Sequence, residues 1–163
     1  MSGLHSKERK DNMIYTDLTR KAMSIAYNAH HGQVDKGDVP YVFHPVHLAE
    51  QANSEEVCIV ALLHDVVEDT NVTIENLIEI GFPEECITAL KLLSHNKEQD
   101  YFEYIENLKT NRLARIVKLL DLNHNSDLAR LKHEPTEKDL KRLKKYHKSM
   151  QILQKQIELE VSL

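Results

Sequence analysis

The chain predicts an all-α domain, and three observations carry that prediction. Glycine and proline are scarce, with 4 of each in 163 residues, which disfavours a turn-rich β fold. Apolar residues recur at spacings of three and four along most of the chain, the period of an amphipathic helix. No stretch alternates apolar and polar residues for long enough to make a strand. A chain of this length can bury a core of its own, so one domain is expected over residues 13–163.

The helices can be placed in order. Leu18, Ala22, Ile25, Ala26 and Ala29 define a first helix that ends near Gly32. Residues 33–43 contain Gly37, Asp38 and Pro40 and read as a loop. Pro45 suits a helix start, giving a short second helix to about Ala52. Ser54 can cap a third helix from Glu55 to about His64. Its apolar positions are nearly continuous, so it should be central and buried on all sides. Thr73 caps a short helix that stops at Gly81. Pro83 opens the next, with Cys86, Ile87, Leu90 and Leu93 as its apolar face. Asp100 precedes a helix striped by Tyr101, Tyr104, Ile105 and Leu108. Asn111 precedes another, with Leu113, Ile116, Val117, Leu119 and Leu120 apolar. The run Thr136-Glu137-Lys138-Asp139 is a capping box with Asp in place of Glu. It starts a long C-terminal helix whose polar face carries Lys138, Lys141, Arg142, Lys144, Lys145 and Lys148.

Composition narrows the partners. The formal net charge of -5 gives no reason to expect nucleic-acid binding. The longest apolar run, residues 57–63, is far too short to cross a bilayer, so no membrane association is expected. Residues 1–12 are polar and lack the apolar stretch of a secretory signal. They are expected to be a disordered leader or a cloning remnant, with Met13 as the native start. Cys58 and Cys86 lie in apolar helical patterns and read as core thiols, which fits a reducing, cytoplasmic setting. Leu143, Ile152, Leu153 and Ile157 on the last helix would permit a homodimer.

The chemistry concentrates in Leu62-Leu63-His64-Asp65-Val66-Val67-Glu68-Asp69-Thr70. One imidazole and three carboxylates follow directly on an apolar stretch, and a bound cation would relieve the repulsion among the acids. Neighbours on a helix point about 100° apart, so His64 and Asp65 reach one ion only if it lies between their directions and other helices complete its shell. Two further candidates are His44, just before Pro45, and Asp121, at the end of Val117-Lys118-Leu119-Leu120-Asp121. A carboxylate within an apolar helical run needs a partner. His44, His64, Asp65 and Asp121 make a mixed nitrogen and oxygen set suited to Mn²⁺, Fe²⁺, Zn²⁺ or Co²⁺. Lys118 is expected to pair with the acids of this pocket. His31, His95 and His124 form no recognisable second metal pattern and are expected at the surface or behind the ligands.

Three segments together resemble the HD superfamily of metal-dependent phosphohydrolases. They are His30-His31-Gly32-Gln33 through Pro40-Tyr41-Val42-Phe43-His44-Pro45, then Ala61 through Thr70, then Val117-Lys118-Leu119-Leu120-Asp121-Leu122-Asn123-His124-Asn125. The similarity is greatest to the hydrolase domain of RelA/SpoT-type proteins and their small standalone relatives, which degrade (p)ppGpp, and it spans residues 18–131. It implies an HD-domain helical bundle with His44, His64, Asp65 and Asp121 as ligands of a divalent metal, Mn²⁺ first. It also implies that Glu68 and Asp69 orient or activate the attacking water. Lys36 and Asn125 match residues on the substrate side.

The implied activity is that of a (p)ppGpp 3′-pyrophosphohydrolase. The nucleotide pyrophosphokinase domain of long family members is not expected. The alternatives are an HD nucleotide phosphatase of other specificity and a non-catalytic nucleotide-binding module. The Glu68-Asp69 pair disfavours the last, because a pure binder has no need of a water-activating acid. One position departs from the family: an arginine usually stands before Lys36, and here Asp35 does. A carboxylate there offers neither a stacking plane nor a positive charge and would repel polyphosphate, at a cost of about a few kcal/mol.

Overall fold

A computed structural model describes residues 13–162. The nine α-helices and one 3-10 turn of these residues confirm the all-α class. The helices are α1 Asp17–Ala29, α2 Phe43–Glu50, α3 Glu55–Leu63, α4 Val66–Asp69, α5 Ile74–Ile80, α6 Glu84–Leu93, α7 Tyr101–Leu108, α8 Arg112–Asn125 and α9 Glu137–Val161. The 3-10 turn, Leu128–Arg130, lies between α8 and α9. Residues 1–12, expected to be a leader or remnant, lie outside the described residues.

Helix α3 is the axis of the bundle. Seven consecutive residues, from Val57 to Leu63, are buried, so every face of the helix must be covered. Helices α1, α2, α6 and α8 pack against it. Helix α9, 25 residues and thus ~37 Å long, lies against α7 and α8. Cys58 and Cys86 are free, buried thiols within this core.

Side-chain caps fix most helix starts. Thr16, Ser54, Thr73, Asp100, Asn111 and Thr136 each accept a first-turn N–H, satisfying donors that the helix leaves free. In α9 the capping box closes through Asp139, as the sequence indicated. Helix α5 ends on Gly81 at φ 94, a left-handed backbone that favours glycine.

Two elements differ from the sequence-based expectation. Helix α2 starts at Phe43 rather than Pro45. Pro45 is the third helical residue, where the missing N–H would have had no partner in any case. The acidic run 66–69 forms the one-turn helix α4, with its C-cap Thr70 Oγ1 donating to the Val66 carbonyl at 2.6 Å. One turn is too short to leave a periodic signature.

The last helix is less exposed than its composition suggested. Leu153 is fully buried and Ile152 packs on the core. Leu143 lines a cavity, and Ile157 is 37% exposed. Lys145 and Lys148 lie 4.2 and 4.1 Å from the ring centres of Tyr101 and Phe102, so cation–π contacts tie the lysine-rich face to α7.

Candidate metal centre and adjoining cavity

Three helices bring the candidate ligands together. His44 comes from the first turn of α2, His64 follows the last residue of α3, and Asp121 is one turn from the end of α8. All three are buried, and a donor atom from each lies within 4.8 Å of the other two. His44 Nε2 is 3.1 Å from Asp121 Oδ1, and His64 Nε2 is 3.8 Å from the same oxygen. Asp65 stands at the α3–α4 junction. Its Oδ2 is 2.9 Å from His64 Nε2 and 3.7 Å from His44 Nε2. The end of α3 at this point lets adjacent residues approach one centre. The four residues singled out in the sequence are thus neighbours in space.

The surroundings orient these groups. His64 Nδ1 donates to the Ala61 carbonyl at 2.7 Å, which turns Nε2 toward the acids. His44 Nδ1 meets His124 Nδ1 at 2.6 Å, so His124 stands behind a candidate ligand. The Tyr41 hydroxyl donates to Asp65 Oδ2. Lys118 Nζ donates to Asp121 Oδ2 at 2.8 Å, and Asn125 Nδ2 donates to Oδ1 at 2.6 Å. Lys118 is therefore the ion-pair partner its sequence position suggested.

The packing of these groups sets their electrostatics. Burial alone would lower the His64 pKa, but the Asp65 and Asp121 carboxylates outweigh it and raise it to about 10. Burial raises Asp65, and His64 more than offsets this, leaving it at about 2. Asp121 is held well below the carboxylate range: burial opposes ionisation, while Lys118 and the two imidazoles favour it. His64 Nε2 is buried, lies near two carboxylates and makes no well-aligned hydrogen bond. A divalent cation fits this arrangement, since it would accept the Nε2 lone pair and balance the acids. His44, His64 and Asp121 can hold such an ion, with Asp65 beside them.

The acidic pair lies just beyond. Glu68 and Asp69 are exposed on α4. Although the residues are exposed as a whole, partial desolvation of their carboxyl groups raises both pKa values, and the nearby Asp65 charge adds to this. Glu68 Oε2 accepts from the His95 N–H at 3.2 Å, which ties α4 to the segment after α6. Gln33 Nε2 donates to the Asp69 carbonyl at 3.2 Å, while its Oε1 accepts from His30 Nδ1 at 2.8 Å.

A cavity of about 420 Å³ adjoins the cluster. Its lining includes both residues expected on the substrate side, Lys36 and Asn125. It also includes Tyr41, Arg130, Arg142 and Tyr146. Tyr41 and Asn125 belong to cavity and cluster alike, so the two form one site. Arg142 is a wall residue paired with Asp139 at 2.7 Å, not part of a free lysine-rich face. The sequence reading missed Arg130. Its guanidinium Nη2 donates to Asp35 Oδ2 at 2.9 Å across 95 residues of chain. Asp35 is therefore not an unbalanced negative charge in the pocket. Its other oxygen accepts the Gly37 and Val39 N–H groups at 2.8 and 3.1 Å, and these bonds and Arg130 hold its pKa low against burial.

No protein-family model matches the chain. It is 31% identical over 144 residues, 75% of this chain, to a chloroplastic protein of Arabidopsis thaliana named for GTP diphosphokinase activity, RSH1. It is 34% identical to the guanosine-3′,5′-bis(diphosphate) 3′-pyrophosphohydrolase of Spiroplasma citri and 32% identical to the bifunctional (p)ppGpp synthase/hydrolase SpoT of Escherichia coli K12, each over 120 residues, 65% of this chain. The matches take in only 16 to 17% of the length of these relatives. Among solved structures, that of a metazoan SpoT ortholog that hydrolyses ppGpp matches with a TM-score of 0.69 and 24% identity, over 85% of each chain. In sequence the chain is thus similar to a segment of the SpoT-type (p)ppGpp synthase/hydrolases, and in fold to the metazoan SpoT ortholog.

Proposed function

We propose that this chain is a metal-dependent phosphohydrolase that removes the 3′-pyrophosphate of (p)ppGpp, with His44, His64, Asp65 and Asp121 as metal ligands and Mn²⁺ as the preferred ion. One observation carries the reading: a buried imidazole–carboxylate cluster shares Tyr41 and Asn125 with a cavity wide enough for a nucleotide. When bound, the ion would lower the pKa of a water and polarise a phosphoryl oxygen.

The chain's own residues supply the rest. Glu68 acts as general base on the attacking water, with Asp69 beside it, and its raised pKa suits a group that must both take and release a proton. Water attacks phosphorus, the bond from phosphorus to the ribose 3′ oxygen breaks, and that oxygen takes up a proton. Lys36, exposed at the cavity, offsets phosphate charge. Asn125 links the nucleotide side of the cavity to Asp121. His44 and Asp65 are kept in place by His124 and Tyr41.

The nucleotide-binding module without turnover is separated by Glu68→Gln. The hydrolase reading expects metal content by elemental analysis to stay at the wild-type level while turnover falls ~10²- to 10⁴-fold. A wild type that binds nucleotide and releases no phosphate or pyrophosphate would leave the binding module as the better reading.

A further inference from the structure

The sequence places a carboxylate at position 35, beside Lys36, where the family it resembles usually carries an arginine. The structure brings a guanidinium to that carboxylate from the turn after α8. Arg130 Nη1 donates to the His124 carbonyl at 2.9 Å and approaches Asn125 Oδ1 at 3.4 Å, while Nη2 donates to Asp35 Oδ2 at 2.9 Å. The loop and the turn are also packed together. A β-carbon at position 37 would collide with the Arg130 carbonyl, so Gly37 permits the approach, and Lys132 pairs with Asp38 nearby.

Both terminal nitrogens of Arg130 thus make hydrogen bonds to the protein, and Asp35 balances its charge. A guanidinium in that state is a poor fork for phosphate but keeps a flat face for a planar ring. The side chain is 24% exposed and lines the cavity. From Arg130 through Asn125 to Asp121, two hydrogen-bond-range contacts of 3.4 and 2.6 Å lead from the edge of the guanidinium to the cluster. A base lying on Arg130 would therefore leave its phosphates on the metal side.

We propose that Arg130 is the base-stacking residue of this pocket and that Asp35 is its positioning residue, so the arginine missing from position 35 is supplied from the other wall. The identity of the base-bearing substrate rests on the reading given under Proposed function; the stacking role does not.

Kinetics and equilibrium binding test the two separately. For ppGpp hydrolysis, Arg130→Ala and Arg130→Lys should each raise KM roughly 10- to 100-fold with kcat nearly unchanged. Lysine keeps the charge and lacks the plane, so failure of Lys to rescue distinguishes stacking from charge. Asp35→Asn, which keeps a hydrogen-bonding group in the loop, should raise KM by a smaller factor. Its effect should largely vanish in the Arg130→Ala background. Lys132→Ala removes the neighbouring surface pair and should leave KM within about twofold, with thermal melts verifying that all variants fold.

Calorimetric binding of GMP, AMP and UMP, with ribose 5-phosphate as the base-free control, needs no turnover. Wild type should prefer the purine nucleotides over ribose 5-phosphate, and Arg130→Lys should erase most of that preference. An unchanged KM and an unchanged preference in folded Arg130→Lys would overturn the stacking role even if ppGpp is the substrate. Arg130-dependent purine binding without ppGpp hydrolysis would support the stacking role and defeat the substrate reading. A wild type with no preference for a base over ribose 5-phosphate would overturn the stacking role as well.

Discussion

Replacing Lys118 with methionine removes one charge from the buried edge of the cluster and keeps most of the aliphatic stem. Lys118 Nζ lies 2.8 Å from Asp121 Oδ2 and 5.4 Å from the centre of the Tyr104 ring. Asp121 is 5% exposed, so water cannot replace the lost partner fully. Breaking a buried ion pair from one side costs about 3–5 kcal/mol. Asp121 retains Asn125 and the two imidazoles, which places the loss near the lower end, at ~3 kcal/mol. For a domain of this size that corresponds to a drop in Tm of ~6–12 °C.

A divalent ion at the cluster would balance Asp121 in place of the ammonium, so the gap between variant and wild type should narrow with saturating Mn²⁺. Differential scanning calorimetry of both proteins, with chelator and with Mn²⁺, measures the two gaps. A metal-free drop below about 2 °C would mean that Lys118 and Asp121 are not coupled as described. An equal drop with and without Mn²⁺ would mean that the ion does not reach Asp121.

Other outcomes follow from the same geometry. In metal-free protein the elevated His64 pKa contributes stability that is complete below its ordinary value of 6.5 and is lost as pH rises through about 10. The depressed Asp65 pKa contributes stability present above 3.8 and lost as pH falls through about 2. Chemical denaturation across pH should show both limbs, whereas a flat profile above pH 7 would contradict the His64 assignment. Because a ligating imidazole must shed its proton, apparent Mn²⁺ affinity should rise with pH over that upper limb, with proton uptake or release followed by titration calorimetry. Leu62→Ala empties a fully buried position in the last turn of α3 and should cost about 2–5 kcal/mol by urea denaturation. A loss below 1 kcal/mol on that measurement would argue against α3 as the axis of the bundle.

The fold was legible wherever the signal was local and periodic. The continuous apolar run of α3 foretold its central burial, and Thr73, Asp100, Asn111 and Thr136 marked helix starts that the structure keeps. Helix α4 and the 3-10 turn were not legible, because a single turn carries no period. Pro45 misled by two residues, since a proline is tolerated anywhere in the first turn and not only at its first residue. Within the site, His44, His64, Asp65 and Asp121 could be found because each sits in a short recognisable segment.

The supports of the site were harder to read. The partner of Asp35 lies 95 residues away, and an exposed-looking arginine after α8 has no local mark of its destination. For the same reason the sequence reads Asp35 as a loss of charge, although the pair it forms is balanced. Arg142 was obscured by the lysines around it, and only the packing of α9 against α7 and α8 shows which cationic side chain lines the cavity.

The most direct measurement is pyrophosphate release from ppGpp by Mn²⁺-loaded protein, with Asp65→Ala as the control. Wild type should release stoichiometric pyrophosphate, abolished by chelator and by the substitution. Release that persists in Asp65→Ala, or a wild type that leaves ppGpp intact while cleaving other nucleotides, would contradict the proposed function.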